Sequence, residues 1–308
     1  MSLSLKNFTK EILLGVLLLF SLSSGARILA DEELIEHQDK LVRQHEELSK
    51  IGIMRPAYFE RTKEEYLKLA DHLSNFGMYC ENYIITGIPT NKKTSNHTAD
   101  AKFQFSIRHR ITRTSLSLEA FMMITYSQKS FWNIYENSSP FRDNNYNPGI
   151  AFFTPIIRNN HLIGMSVISI EHESNSGDSI DSRGWDFLGL SFTYFFNMQL
   201  SGQIKVWPAI IDGEYNKDLY DYKGYGMIAL SHRGLKDKVK FSSVLNPRKK
   251  FSSVNTQIDF CHRINKKTNV YFFAQRYNGY GEGLLDYNKY RSMVRVGLSL
   301  RPDMLIFY

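Results

Sequence analysis

Residues 163–196 read IGMSVISIEHESNSGDSIDSRGWDFLGLSFTYFF. Successive side chains of an extended strand leave opposite faces. Gly164, Ser166, Ile168 and Ile170 therefore share one face, and His172 and Ser174 continue it. A second alternating run puts Asp186, Leu188, Leu190, Phe192, Tyr194 and Phe196 on a common face. A hairpin joining the two runs sets an imidazole, a hydroxyl and a carboxylate at one end of an apolar surface. A nucleophile, its base and the group that orients the base need such an arrangement. H-x-S alone also suits solvated residues at a strand end, so the rest of the chain has to decide.

The same period of two recurs from about residue 82 onward. Phe103, Phe105, Ile107 and Ile111 alternate with Lys102, Gln104, Ser106, Arg108 and Arg110, and Val294, Val296, Leu298 and Leu300 oppose Met293, Arg295, Gly297 and Ser299. About twelve runs follow this pattern, over 81–89, 101–111, 115–126, 147–158, 163–174, 185–197, 203–211, 223–231, 238–245, 253–264, 269–277 and 291–300. Longer connections around 90–100, 127–146, 175–184, 212–222, 246–252 and 278–290 alternate with short turns at 112–114, 159–162, 198–202, 232–237 and 265–268. Even strand number and alternating loop length predict an all-β fold, a twelve-stranded antiparallel transmembrane β-barrel. Closure leaves no sheet edge, which lipid requires because it offers backbone groups no water. The chain ends on Phe307 and Tyr308, as outer-membrane barrels commonly end on an aromatic. With short turns on the periplasmic side, His172, Ser174 and Asp186 fall at the outer end of the lipid face. Polar groups are expensive there, and hydrolysis of lipid esters is the economical reason for three of them.

The rest of the 308 residues supports export. Residues 1–26 read as a signal peptide, with Lys6 and Lys10, a short apolar run over 12–22, and small residues before a cut after Ala26 or Ala30. That run falls short of the roughly 20 apolar residues of a spanning helix. Residues 27–75 read as a helical N-terminal extension, with Leu34, Leu41 and Leu48 in one stripe and Tyr66, Leu69, Ala70 and Leu73 in another. The barrel domain takes 76–308. Cys80 and Cys261 are the only two cysteines, too few for a disulfide framework. The net charge of +7 suits anionic lipid; it would also suit nucleic acid, but export argues against that partner.

Five ordered motifs add a resemblance: YSQKSFW (126–132), SSPFRDNNY (138–146), HESN (172–175), SRGW (182–185) and GYGEGLLDYN (279–288). From about residue 75 to the end, the chain resembles the outer-membrane phospholipase A family of Gram-negative bacteria. The resemblance implies a Ca2+-dependent barrel of the cell outer membrane that hydrolyses phospholipid acyl esters (A1, A2 and lysophospholipase type) and is activated as a homodimer. It makes Ser174 the nucleophile and His172 the general base, and it puts Asp186 where the family usually has Asn. It further implies calcium ligation by the Ser182 hydroxyl, the Gly177 carbonyl and Ser138 of the other copy, and pairing across the dimer by Gln128. The family more often carries Arg at position 177, and Gly there predicts a looser loop. Asp178 and Asp181 either add carboxylates to the metal or are solvated loop acids. The competing reading is a non-enzymatic barrel, a narrow pore or an adhesin, for which Lys102, Gln104, Arg108 and Arg110 would line or plug the interior.

Overall fold

The structure, a computed structural model, describes residues 63–64, 74–112, 119–175, 177–197, 199–210, 215–234, 238–248, 253–265 and 268–301. The expected signal peptide and, apart from the helical Lys63 and Glu64, almost all of the expected helical extension lie outside them. The chain divides into one unit over 1–54 and another over 55–308, and every described residue belongs to the second.

Twelve antiparallel strands form that unit: β1 (Asn82–Pro89), β2 (Asp100–Arg110), β3 (Phe121–Trp132), β4 (Phe141–Arg158), β5 (His161–Ser174), β6 (Gly184–Phe195), β7 (Leu200–Val206), β8 (Gly226–Gly234), β9 (Val239–Pro247), β10 (Val254–Arg263), β11 (Val270–Gly279) and β12 (Arg291–Leu300). Each pairs with the next, and β12 returns to β1 through the register Leu300↔Asn82 to Met293↔Pro89, so the ring closes. Short pieces at Phe76–Met78 and Ala209–Ile210 add to β2 and β6. The β7–β8 connection carries one short helix, α1 (Leu219–Lys223).

The two faces of the wall differ as alternation requires. Ile84, Ile168, Ile170, Phe192, Ile228 and Leu298 are among the large apolar side chains exposed on the outside. Inside, apolar clusters sit towards the two ends, one with Phe121, Phe153, Leu162 and Val167, the other with Trp185, Trp207, Leu219 and Leu284. Cys261 is buried with Tyr83, Ile85, Tyr271 and Phe273, and both cysteines are free thiols.

Between them lies a charged network. Arg295 donates to both Asp100 oxygens at 2.7 and 2.9 Å and to Glu282 at 2.6 Å. Lys102 donates to Glu282 at 3.0 Å and to Gln275 at 2.8 Å. Arg295 and Lys102 are each 1% exposed. Of the four residues expected to line or plug the interior, Lys102 and Arg110 are buried, whereas Gln104 and Arg108 are half-buried. Glu282 arrives from the 280–290 connection, which folds into the barrel: Leu284 is buried, and the Leu284 and Leu285 amides donate to Asn145 and Asp143 at 3.0 and 3.1 Å.

These contacts account for the main departure from the sequence reading. The third strand, expected over 115–126, is Phe121–Trp132, and the fourth begins at Phe141 rather than near 147. The expected long loop over 127–146 shrinks to 133–140. Asp143 and Asn145 look like loop residues, but they face a polar interior that hands them the amides of the inserted connection. The long–short rhythm fails in two other places: the β2–β3 connection, 111–120, is longer than the three-residue turn expected there, and the β9–β10 and β10–β11 connections, 248–253 and 264–269, are equal in length.

Burial alone would raise the Glu282 carboxyl, but Arg295 and Lys102 outweigh it and hold the group well below the usual carboxylate range. A depressed carboxyl contributes its stability fully above the unfolded pKa and loses it as pH falls through the folded value. Glu282→Gln leaves the buried Lys102 without a carboxylate and Arg295 with Asp100 alone, an effect of about 3–5 kcal/mol. In detergent at neutral pH the variant is expected to unfold at a markedly lower temperature than wild type, and the gap to narrow in strong acid. An equal midpoint at pH 7 would contradict the network's role.

Candidate active site

Adjacent ends of β5 and β6 build the site. Their register pairs His172 with Asp186, Glu173 with Trp185, and Ser174 with Gly184. Parity is as the sequence predicts: Val167, Ser169 and Glu171 are buried inside, whereas Ile168, Ile170, Leu188 and Leu190 are exposed outside. His172, Ser174 and Asp186 continue the outer face.

His172 Nδ1 lies 2.7 Å from Asp186 Oδ1, with the two side chains 20% and 44% exposed. That bond sets the imidazole: Nδ1 carries the proton shared with the carboxylate, which leaves Nε2 free to accept another. Ser174, two residues on, shares the outer face with His172. A Cβ built on Gly184 would stand 3.6 Å from Ser174 Cβ and 3.9 Å from His172 Cε1, so the missing side chain keeps the approach to both groups open.

The other neighbour of β5 contains an irregularity that the sequence reading passed over. The ladder with β4 runs Tyr146↔Ser174, then resumes at Gly149↔Glu171. Pro148 lies in the gap and has no N–H to give. The Asn147 side chain substitutes, donating to the His172 carbonyl at 3.1 Å. A proline inside an interior strand run was the available signal, because such a position marks a bulge or special site.

Beyond Ser174 the chain turns through 175–183. Asn175, buried, organises this turn: its Oδ1 accepts from the Gly177 and Arg183 amides at 3.1 and 2.9 Å, and its Nδ2 donates to the Asp181 carbonyl at 2.9 Å. Asn175 belongs to a quoted motif, yet its role appears only in three dimensions. Gly177 is tightly packed rather than loose, since a Cβ there would lie 2.3 Å from the Asp181 carbonyl oxygen. That approach brings Gly177 beside Asp181 and thus next to Ser182. Among the described residues, neither the Gly177 carbonyl nor the Ser182 hydroxyl makes a hydrogen bond. Uncommitted neutral oxygens with the exposed Asp178 and Asp181 close in sequence suit a hard cation such as calcium. Among the described residues no cluster of three or more His, Cys, Asp or Glu suits a metal; the expected donors are of other types.

Ser138 is exposed in the 133–140 connection, where it and Ser139 have left-handed φ values of 64° and 41°. The turn is held by Trp132 Nε1, which donates to the Ser139 carbonyl at 2.7 Å. Gln128 falls in the lateral row of Ser174, through Gln128↔Tyr146 and Tyr146↔Ser174. Its amide bonds within β3, accepting from Tyr126 and donating to Ser130, both at 3.1 Å.

Comparison with known proteins now has a geometry to refer to. The sequence profile described as phospholipase A1 matches residues 57–300. The chain belongs to that family. The match begins ahead of β1, so the family pattern takes in part of the segment read as an extension. A phospholipase A1 of Escherichia coli K12 is 29% identical over 217 residues, covering 65% of this chain and 69% of its own. A relative in Neisseria meningitidis is 29% identical over 216 residues; the chain spans 54% of that relative's length. Outer membrane phospholipase A from E. coli shares the fold, with a TM-score of 0.66, 23% identity, and 74% of this chain and 94% of that one covered. The Salmonella typhi outer membrane phospholipase, solved as a dimer with bound calcium, aligns with the same TM-score and identity over 74% of this chain and 92% of that one.

Asn175→Ala removes three hydrogen bonds from the 175–183 turn of this phospholipase A1 family member. We expect limited proteolysis to cut that turn at least several-fold faster in the variant, with the barrel fragments intact. Equal cleavage rates would show that the turn does not rely on Asn175.

Proposed function

We propose that this chain is a phospholipase of the outer membrane that hydrolyses phospholipid acyl esters, with Ser174, His172 and Asp186 as its catalytic groups. The observation that carries the reading is the 2.7 Å His172–Asp186 pair on the outward face, beside Ser174. A pore or an adhesin has no need of an oriented imidazole there, and a pore is further disfavoured by the charged plug around Arg295. Residues 1–26 act as the export leader, and the long connections face outward, which puts the site at the level of the outer-leaflet esters.

The chemistry follows from the geometry. His172 Nε2 takes the Ser174 proton as Oγ attacks the ester carbonyl, and Asp186 stabilises the imidazolium through Nδ1. The ester C–O bond then breaks, and the imidazolium returns the proton to the leaving alcohol. Water, deprotonated by the same imidazole, releases the fatty acid from Ser174. The Gly177 carbonyl and Ser182 hydroxyl of one copy, with Ser138 of a second, would hold Ca2+. When bound, the cation would polarise the carbonyl and stabilise the developing oxyanion. Association along the Gln128 row would complete the site, so activity would require a homodimer. Cleavage at either acyl position, or of lysophospholipid, uses the same groups.

The test is phospholipid hydrolysis in detergent micelles, with calcium or a chelator. Wild type is expected to turn over only with calcium, and folded Ser174→Ala to fall to background. Asp186→Asn, restoring the family's usual residue, should retain more activity than Asp186→Ala. Equal hydrolysis by wild type and Ser174→Ala, or ion conductance without hydrolysis, would end this reading.

A further inference from the structure

The connection between β7 and β8 does more than join two strands. It turns back into the barrel mouth, where Asn216 and Leu219 are 0% and 1% exposed. From there it reaches the strands of the site from behind, in two places. Lys223 Nζ donates to Glu173 Oε2 and sits 4.7 Å over the Trp185 ring, while Trp185 Nε1 donates to the same Glu173 oxygen at 2.8 Å. Asn216 Nδ2 donates to the Gly184 carbonyl at 3.0 Å.

The register gives these contacts their meaning. Glu173↔Trp185 is the cross-strand pair between His172↔Asp186 and Ser174↔Gly184, with its side chains on the opposite face. One ammonium thus ties both members of the pair directly behind the catalytic row. A single amide anchors the residue opposite Ser174. We propose that residues 215–223 are a positioning element: Lys223, through Glu173 and Trp185, and Asn216, through Gly184, hold the ends of β5 and β6 in the alignment that joins His172 to Asp186. The inference rests on the catalytic reading above.

The physical need is clear. Both strands end here in the 175–183 turn, and among the described residues the Asn175 amide to the Arg183 carbonyl is the last backbone bond between them. A slip by one residue would turn Asp186 inward, and a smaller slide lengthens the His172–Asp186 bond. Misplacement on the scale of an ångström costs about 100-fold in rate. Lys129 of β3 also interacts electrostatically with Glu173, so the carboxylate is held between cations from two elements.

The test uses the full chain folded in micelles with calcium. Lys223→Met and Glu173→Ala are each expected to lower kcat by about 10- to 100-fold with little change in KM. The double variant should lose no more than the worse single one, because both break one unit. Lys223→Arg should recover most of the activity. Lys240→Met, which removes the ion pair with Glu81, should lower thermal stability without lowering kcat. Wild-type kcat in folded Lys223→Met and Glu173→Ala, or an equal loss in Lys240→Met, overturns the proposal. Should Lys223→Met fail to fold, Asn216→Ala carries the same expectation, and wild-type kcat there overturns it. Ser174→Ala separates the two levels: if it stays active, the catalytic reading has failed; if it is dead while the others are normal, only the positioning role has.

Discussion

Hydrocarbon gives backbone N–H and C=O groups no partner, so a sheet that crosses it must close on itself. Nearly everything else in this barrel follows from that constraint. Closure holds each strand between two neighbours and leaves each residue only two directions, in or out. The outside must then be apolar and the inside satisfied. His172, Ser174 and Asp186 are legible as a site because they break that partition at one end of the wall.

The inside solves the harder problem. Arg295, Lys102, Asp100 and Glu282 are charged and buried, and burial of charge is tolerable only when partners are complete. One partner, Glu282, comes from a connection that folds into the barrel, and that connection in turn borrows acceptors from Asp143 and Asn145. The 215–223 segment repeats the device at the mouth, behind β5 and β6. The two faces of one hairpin thus differ: the outer carries His172, Ser174 and Asp186, the proposed catalytic groups, and the inner carries Glu173 and Trp185, bonded to each other and to Lys223.

Much of this was legible from alternation. The strands around the site came out within a few residues, and the shared face of His172, Ser174 and Asp186 needed only a count by twos. The third and fourth strands were misplaced because residues 127–146 are polar, and polar composition reads as loop until a polar interior is known to face it. Gly177 misled for a related reason: glycine suggests freedom, whereas the Asp181 carbonyl fills the space a side chain would need. Pro148 was visible in the sequence, but its meaning depends on the Asn147 amide reaching the His172 carbonyl.

By itself, then, the sequence determined the period, the parity and hence which residues share a surface. Those properties are local, set by the two-residue geometry of extended backbone and by the need for an apolar exterior. Only the tertiary structure decided which distant groups meet: Lys223 with Glu173, Asn216 with Gly184, Glu282 with Lys102 and Arg295. Such pairings join residues far apart in the chain, and their partners are chosen by how connections fold into a closed ring. A pattern along one strand carries no record of what arrives from across the barrel.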